Sequence, residues 1–263
     1  MEDGKSVYRK GGKYPYRAYG KCPYREGRKS PCHLHLLGYP HAVNQRGNRE
    51  QTVFEENADY RRYLGWLREC AERYGLDIWA YCLMSNHGHY ICVPRTGDGL
   101  SRTFNTLHMK YTQYFHKKKG SSGQLWMGRF LSCPLDDPSV FEEVRFIETN
   151  PVRAGLVERA EDYPWSSARC HVIGEPDPVL IVGSDTGRAL NRMAGVPMYR
   201  AIPGWRSYLA AGGDEEIVKR TRERLKTGRP AGDAEFVRKL EEIVGRRLGA
   251  MPRGRPKKIL HTT

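Results

Sequence analysis

Two apolar segments separated by a short polar break predict a β-hairpin in the first half of the chain. Residues 76–83 and 87–94 are rich in β-branched, aromatic and other apolar side chains, and the break between them contains a Ser-Asn pair. Two more strands are expected, at about 38–46 and about 130–135, where turn-forming residues bound similar segments.

Apolar positions that recur every three or four residues predict helices between these strands. The helices are expected at about 57–74, 100–118 and 138–149. Gly75 ends the first of them. The third should break near Pro151, because the residue before a proline disfavours helical backbone.

The predicted order is strand, helix, strand, strand, helix, strand, helix. It is typical of an α/β (α+β) fold of the ferredoxin-like, split βαβ type, which we expect to have an antiparallel sheet with its helices on one face. This order is common and indicates no function by itself.

The rest of the chain is expected to form appendages to this domain. We divide the sequence into a basic N-terminal arm at 1–37, a domain at 38–183, a helical extension at 184–250 and a basic tail at 251–263. The domain is expected to end in an irregular wrap at 155–183. Within the extension, helices are expected at about 184–194, 213–227 and 232–248.

The net charge of +14 and the sequence pI of about 9.5 favour a polyanionic partner, nucleic acid first. No apolar segment approaches the roughly 20 residues of a membrane-spanning helix, and the N-terminus resembles no signal peptide. Seven cysteines without a Cys-x-x-Cys pair are interpreted as reduced thiols, so we expect a cytoplasmic, nucleoid-associated protein that does not bind a membrane.

Two histidines are the first candidates for chemistry. His87 and His89 stand two residues apart in a predicted strand, so their imidazoles lie on one face and could bind one metal ion. The alternative for a His-x-His pair is two half-buried side chains satisfied by their neighbours. A separate group, Cys22, Cys32, His33 and His35, could hold zinc, although its spacing matches no standard finger.

Five motifs resemble those of the REP-associated tyrosine transposases, in that family's order. They are Gly38-Tyr39-Pro40-His41 with Gln45-Arg46-Gly47-Asn48, Ala80-Tyr81-Cys82-Leu83-Met84-Ser85-Asn86-His87-Gly88-His89, Leu125-Trp126-Met127-Gly128-Arg129-Phe130, Asn150-Pro151-Val152-Arg153-Ala154-Gly155-Leu156-Val157, and Tyr163-Pro164-Trp165-Ser166-Ser167-Ala168. The family is one of HUH single-strand nucleases, whose two histidines flank an apolar residue. Gly88 departs from that pattern.

The resemblance implies a metal-dependent transposase that nicks single-stranded DNA beside a hairpin and rejoins it elsewhere. His87, His89 and Asn150 would hold Mg²⁺ or Mn²⁺ against the scissile phosphate. A tyrosine hydroxyl would attack, leaving a 5′-phosphotyrosine and a free 3′-hydroxyl. Asn150 could instead simply cap the end of its helix.

The position of the catalytic tyrosine is occupied by Phe146, four residues ahead of Asn150 on the same helix face. Three explanations remain open at this stage. The chain is a natural relative that has lost cleavage and kept DNA binding, or the nucleophile has been replaced deliberately to trap a DNA complex. In the third explanation another tyrosine serves, with Tyr111 and Tyr114 as candidates, for both of which packing in the core or in a DNA groove is the alternative.

Basic and aromatic residues are the candidates for holding DNA. Cations over phosphates and rings under bases are typical of single-strand binding. The candidates in the domain are Lys110, Tyr111, Tyr114, Lys117, Lys118, Lys119, Arg129 and Arg153. In the tail, Arg253 and Arg255 belong to an AT-hook-like segment suited to a narrow minor groove.

The sequence therefore predicts a hairpin-specific DNA transposase, with a cleavage-dead DNA-binding protein of the same fold as the alternative. Whether it acts as a monomer or a homodimer is left open.

Overall fold

A computed structural model describes most of the chain beyond the N-terminal arm. The described residues are 34–180, 192–193, 196–197, 201–212, 219–221, 223–224 and 227–249. The predictions for the arm up to residue 33, for most of the 184–194 helix and for the tail from residue 251 lie outside them.

A four-stranded antiparallel sheet is the centre of the described structure. Its strands are β1 (His41–Arg46), β2 (Leu76–Met84), β3 (His87–Pro94) and β4 (Leu131–Pro134), in the spatial order β2-β3-β1-β4. The hairpin predicted from the apolar pattern is β2–β3, whose observed ends lie within one residue of the predicted ones. The mixed α/β fold class is confirmed.

Helices α1 (Asn57–Tyr74) and α2 (Gly99–Lys119) pack side by side on one face of this sheet. Helix α1 begins with a reciprocal cap, in which the side chains of Glu56 and Asp59 each accept a hydrogen bond from the other's backbone N–H. It ends at Gly75, whose φ of 70° is left-handed backbone that favours glycine. Aromatic side chains fill the core here, among them Phe54, Tyr63, Tyr90, Phe104 and Tyr111.

Helix α3 (Asp137–Glu148) packs on the opposite face of the sheet, so the expectation of helices on one face is wrong. Side chains alternate along β3, and Tyr90 enters the core beneath α1 and α2 while Ile91 enters the core beneath α3. All nine residues of β2 are buried, as expected of a strand covered on both faces.

The third predicted helix ends just before Pro151, close to where the sequence predicts a break. Helix α3 ends at a Thr149 cap with φ −86° and ψ 0°, and a one-turn helix, α4 (Asn150–Arg153), follows directly with Pro151 in its first turn. The helix is therefore interrupted at Thr149, and Asn150 begins the second helix.

The predicted wrap after residue 155 runs along the edge of β2. The backbone N–H of Leu83 donates to the carbonyl of Trp165, and the N–H of Ser167 donates to the carbonyl of Tyr81. Two short helices in this part of the chain, α5 (Ala168–Ile173) and α6 (Trp205–Ala210), have no counterpart in the sequence prediction.

The C-terminal part contributes a further helix, α7 (Ala234–Val244), close to the predicted range. Its Leu240 is buried with Leu34 and Leu36, so the end of the N-terminal arm packs on the extension. The predicted helix at 184–194 is wrong at its end, because residues 192–193 form a two-residue strand paired with 196–197.

No helix in the described part of the chain is both long and apolar enough to cross a membrane. The five cysteines that the structure describes are buried free thiols, and a buried thiol behaves as a small apolar side chain.

Candidate active site

His87 and His89 project from β3 toward the face of the sheet that α3 covers. The backbone of β3 pairs with β1 so that His87 lies opposite Arg46 and His89 lies opposite Asn44. The centroids of the two imidazole rings are 5.0 Å apart and the rings are perpendicular. The i, i+2 geometry predicted from the sequence is therefore present.

Both imidazoles are held in the neutral form. Burial lowers the pKa of His87 to about 4, with a smaller contribution from Arg46. Burial also places the pKa of His89 well below its ordinary value, and the cationic side chains of Arg153 and Arg46 act in the same direction. A neutral imidazole keeps one ring nitrogen with a free lone pair, which is the form that binds a metal ion.

Hydrogen bonds orient the ring of His87. Its Nδ1–H donates a hydrogen bond to the Asn86 side-chain oxygen, with 2.5 Å between the two atoms. The Nε2 lone pair then faces the side-chain amide of Asn150, whose nitrogen is 3.2 Å away. On His89, Nδ1 lies 3.4 Å from the amide nitrogen of Asn44.

Position 146 faces the same site from helix α3. The ring of Phe146 meets that of His89 edge to face, with 5.7 Å between centroids, and only 6% of the phenylalanine is exposed. The guanidinium of Arg153 lies over the phenyl ring at 4.4 Å from its centroid and donates to the Phe146 carbonyl at 2.7 Å. Two histidines, Asn150, position 146 and Arg153 therefore meet in one place.

Gly88 is explained by the side chain of Tyr90. A Cβ at position 88 would overlap the Tyr90 hydroxyl and lie 2.8 Å from the ring carbon that carries it. The Tyr90 hydroxyl in turn bonds the hydroxyl of Tyr63 at 2.7 Å. Tyr90 thus fills the space that an apolar residue between the histidines would occupy, and the departure from the family pattern leaves both imidazoles in place.

The donor set suits one divalent cation. The two neutral imidazoles supply nitrogen ligands, and the Asn150 amide supplies an oxygen ligand when its oxygen is turned inward. Divalent ions accept ligands of both kinds. Among the described residues, no cluster of three or more His, Cys, Asp or Glu side chains could hold a metal ion. The His87, His89 and Asn150 set has only two members of those types.

The predicted DNA-binding residues of α2 lie on a helix that packs on the other face of the sheet from Phe146. Tyr111 is fully buried, and its hydroxyl donates to the Val53 carbonyl at 2.6 Å. Its expected roles, as a stacking platform for bases or as a substitute nucleophile, are therefore wrong. Tyr114 donates a hydrogen bond to the Asp59 carboxylate at 2.8 Å. Like Tyr111, it lies on a helix that packs on the sheet face away from the histidines.

Most of the predicted lysines of α2 are engaged in ion pairs. Lys110 binds Glu69 at 2.8 Å, Lys118 binds the buried Asp59 at 2.8 Å, and Lys119 binds Glu55 at 2.6 Å. Lys117 is exposed. DNA contact by these lysines stays a prediction.

The remaining candidates fall in three places. Arg129 is exposed on the loop whose Gly128 carbonyl accepts from Gln45. Arg253 and Arg255 lie outside the described residues, as do Cys22, Cys32 and His33 of the possible zinc group. His35, the fourth member of that group, stacks on Phe130 with 5.6 Å between centroids.

Two asparagines at the site, Asn44 and Asn86, were not singled out from the sequence. The signal was present for both of them. Asn86 directly precedes His87, and the alternation along β1 puts Asn44 on the same face as the histidines once the pairing of the strands is known.

Comparisons with known proteins find that this chain is similar to transposases. Residues 35–150 match the family described as Transposase IS200 like. A Haemophilus influenzae protein described as a REP-associated tyrosine transposase is 25% identical over 122 residues, which are 42% of this chain and 69% of that protein.

A solved structure described as a REP-associated tyrosine transposase bound to a REP hairpin is also similar. It is 20% identical with a TM-score of 0.44, covering 59% of this chain and 94% of the other. A likeness at this level does not by itself establish a common fold or function.

Proposed function

This chain resembles the IS200-like transposases over residues 35–150, as its motifs predict, and on that premise we propose that it recognises hairpin-flanked single-stranded DNA. The relatives are described as REP-associated tyrosine transposases, one of them bound to a REP hairpin. The proposed reaction class is metal-dependent nicking and strand transfer, in a form that lacks its nucleophile.

The observation that carries the proposal is the meeting of His87, His89, Asn150 and position 146 on one face of the sheet. These residues come from β3, α3 and α4, and His87 and Asn150 are 63 residues apart in the chain. His89 and Phe146 are buried, whereas His87 and Asn150 are half-buried and Arg153 is exposed. Convergence of polar side chains from distant elements at a position that is open on one side is typical of a functional site.

His87 and His89, with Asn150, would hold Mg²⁺ or Mn²⁺, which when bound offsets charge on the non-bridging phosphate oxygens and orients the phosphate. The protein keeps both imidazoles neutral by burial, so that their lone pairs are available without loss of a proton. Asn86 fixes the ring of His87, and Asn44 lies beside His89, as outer partners of the ligands.

Arg153 supports the same position from the other side. Its guanidinium covers the ring at position 146 and lowers the pKa of His89. A fixed cation there would attract a phosphate and would favour the charged oxygen of a phenol at position 146.

A tyrosine at position 146 would supply the hydroxyl that phenylalanine lacks. Its oxygen would attack phosphorus, the bond to the 3′ oxygen would break, and a 5′-phosphotyrosine and a free 3′-hydroxyl would result. Phenylalanine has the same shape, so the fold and the DNA site need no change, and the chain as it stands should bind without forming the covalent product.

The test is Phe146→Tyr incubated with a hairpin-flanked single strand and Mn²⁺. We expect a covalent protein–DNA adduct on a denaturing gel. The adduct should be absent when EDTA is present, and absent from the Phe146→Tyr/His89→Ala double variant. The absence of any adduct from Phe146→Tyr, in a protein that still binds the hairpin, would contradict the proposed cleavage chemistry.

The second candidate function is DNA recognition without cleavage, and Phe146 itself favours it. Assaying the unvaried chain for nicking with Mn²⁺ separates the two candidates. Tight hairpin binding without nicking supports recognition alone, whereas nicking by the unvaried chain requires a nucleophile other than residue 146.

A further inference from the structure

A fully buried carboxylate, that of Glu148, stands at the end of helix α3. Three donors from later in the chain bind it. Ser167 Oγ donates to Oε1 at 2.5 Å, His171 Nδ1–H donates to Oε1 at 2.6 Å, and Trp205 Nε1–H donates to Oε2 at 2.7 Å.

The Ser167 end of this group is fixed to the sheet. Its backbone N–H donates to the Tyr81 carbonyl at 3.0 Å, and the Tyr81 N–H donates to Ser167 Oγ at 3.1 Å. Tyr81 belongs to β2, the neighbour of the strand that carries the histidines. Glu148 therefore joins the end of α3 to α5 and α6 directly, and to β2 through Ser167, by these hydrogen bonds.

Glu148 lies midway between the two site residues of this helix end, two positions after Phe146 and two before Asn150. With about 100° of rotation per helical residue, its side chain points to the opposite side of α3 from Phe146. One side of the helix end thus faces the histidines, while the other is held by the wrap.

We propose that Glu148 is a positioning residue, through which Ser167, His171 and Trp205 fix the direction of residue 146 and Asn150 toward the histidines. The proposal deepens the proposed function and rests on it. All three donors lie beyond the matched residues 35–150, although Ser167 belongs to the fifth of the family-like motifs. The C-terminal segment is then part of the site, although none of its residues touches the reacting atoms.

The first measurement is Mn²⁺ affinity of the full-length chain by calorimetry, with and without Glu148→Gln. Glutamine has nearly the same volume as glutamate, but its N–H₂ group would face one of the donors that now bind the Glu148 side chain. We expect Mn²⁺ affinity to fall about 10-fold or more, as for the loss of outer partners of metal ligands. In the Phe146→Tyr background, the single-turnover rate of adduct formation at saturating Mn²⁺ should fall about 100-fold. Metal-free hairpin affinity should stay unchanged.

Two controls separate positioning from general packing. Glu158→Gln alters an exposed carboxylate and should leave all three quantities unchanged. Trp205→Phe removes an indole N–H that donates to Glu148. Trp79→Phe makes the same change in a second buried tryptophan, whose indole N–H has no hydrogen-bond partner. Trp205→Phe should weaken Mn²⁺ binding, and Trp79→Phe should not.

Unchanged Mn²⁺ affinity and cleavage in Glu148→Gln, from a parent that binds Mn²⁺ and forms the adduct, would overturn the positioning role alone. Equal losses in Trp79→Phe and Trp205→Phe would overturn it as well, because packing would then explain them. If Phe146→Tyr forms no adduct while Glu148→Gln still weakens Mn²⁺ binding, the proposed cleavage fails and the positioning role stands. A chain that binds no Mn²⁺ overturns both.

Discussion

At the residue scale, the site depends on pairs of side chains that the sequence does not reveal as pairs. Gly88 looks like a weakened HUH motif until the ring of Tyr90 is seen to occupy its side-chain space. Lys118 looks like a free cation until its contact with the buried Asp59 is known. Composition and spacing identify candidate residues, whereas their availability is decided by partners from other elements.

Changing Gly88 to alanine should destabilise the protein through overlap with Tyr90. Overpacking of this kind lowers the free energy of unfolding by about 1–3 kcal/mol. Because Tyr90→Leu removes the overlapping atoms, Gly88→Ala should cost less in that background. Urea titration of the two single variants and the double variant measures this coupling. Additive effects would mean that the two positions do not share the space.

Phe146→Tyr should leave stability nearly unchanged, because the added hydroxyl extends toward a site that already holds polar groups. We expect a change of less than about 1 kcal/mol in the free energy of unfolding. Thermal unfolding with Phe146→Ala as the matched control measures it, and the alanine variant should lose about 3–5 kcal/mol. A tyrosine variant as unstable as the alanine variant would contradict the proposed geometry.

At the element scale, long periodic segments were predictable and short ones were not. The ends of β3 agree with the apolar pattern, because a strand in the middle of the sheet is buried along its length. Helices α5 and α6 have six residues each, too few for a periodic signal, and their positions depend on contacts with Tyr81 and Glu148. The burial of β2 on both faces agrees with its apolar run from Ile78 to Met84.

Helix α3 also carries a buried acid, Glu143, whose pKa is raised to about 7. Burial is the main cause, and Glu142 adds to it. Thr221, Arg224 and Arg220 favour the charged form without offsetting burial. Because the folded state holds this proton more tightly than the unfolded state, its contribution is present below about pH 4.5 and is lost as the pH rises through about 7.

Glu143→Gln should therefore flatten the dependence of stability on pH. Between pH 5 and pH 8 the unvaried chain should lose about 2–3 kcal/mol more unfolding free energy than the variant, given about 1.4 kcal/mol per pKa unit. Chemical denaturation at both pH values measures this difference, with the exposed Glu158→Gln as control. Parallel curves for Glu143→Gln and the unvaried chain would show that the acid is not held neutral.

At the scale of the whole molecule, the basic charge was the most general indication of a nucleic-acid partner, and the five motifs were the most specific. The histidines lie on the predicted third strand and position 146 on the predicted third helix, whereas Asn150 begins the separate helix α4 rather than continuing α3. The sequence could not indicate that α1 and α2 cover the sheet face away from the histidines, because the side of a sheet on which each helix packs is decided by tertiary contacts.

The tail prediction belongs to this scale as well. Replacing Arg253 and Arg255 together with alanine should weaken binding to hairpins with A·T-rich stems more than to matched G·C-rich stems, because the AT-hook-like segment is expected in a narrow minor groove. Fluorescence anisotropy with both hairpins at one salt concentration measures it. Equal losses on both stems would indicate only non-specific attraction to phosphate.

The central claim is that residue 146 stands where a nucleophile reaches a phosphate held beside His87 and His89. Peptide mapping by mass spectrometry of the adduct from Phe146→Tyr, formed with Mn²⁺ and a hairpin-flanked strand, tests it most directly. The account predicts a nucleotide linked to the peptide that contains residue 146. A nucleotide linked to any other tyrosine, such as Tyr114, would contradict it.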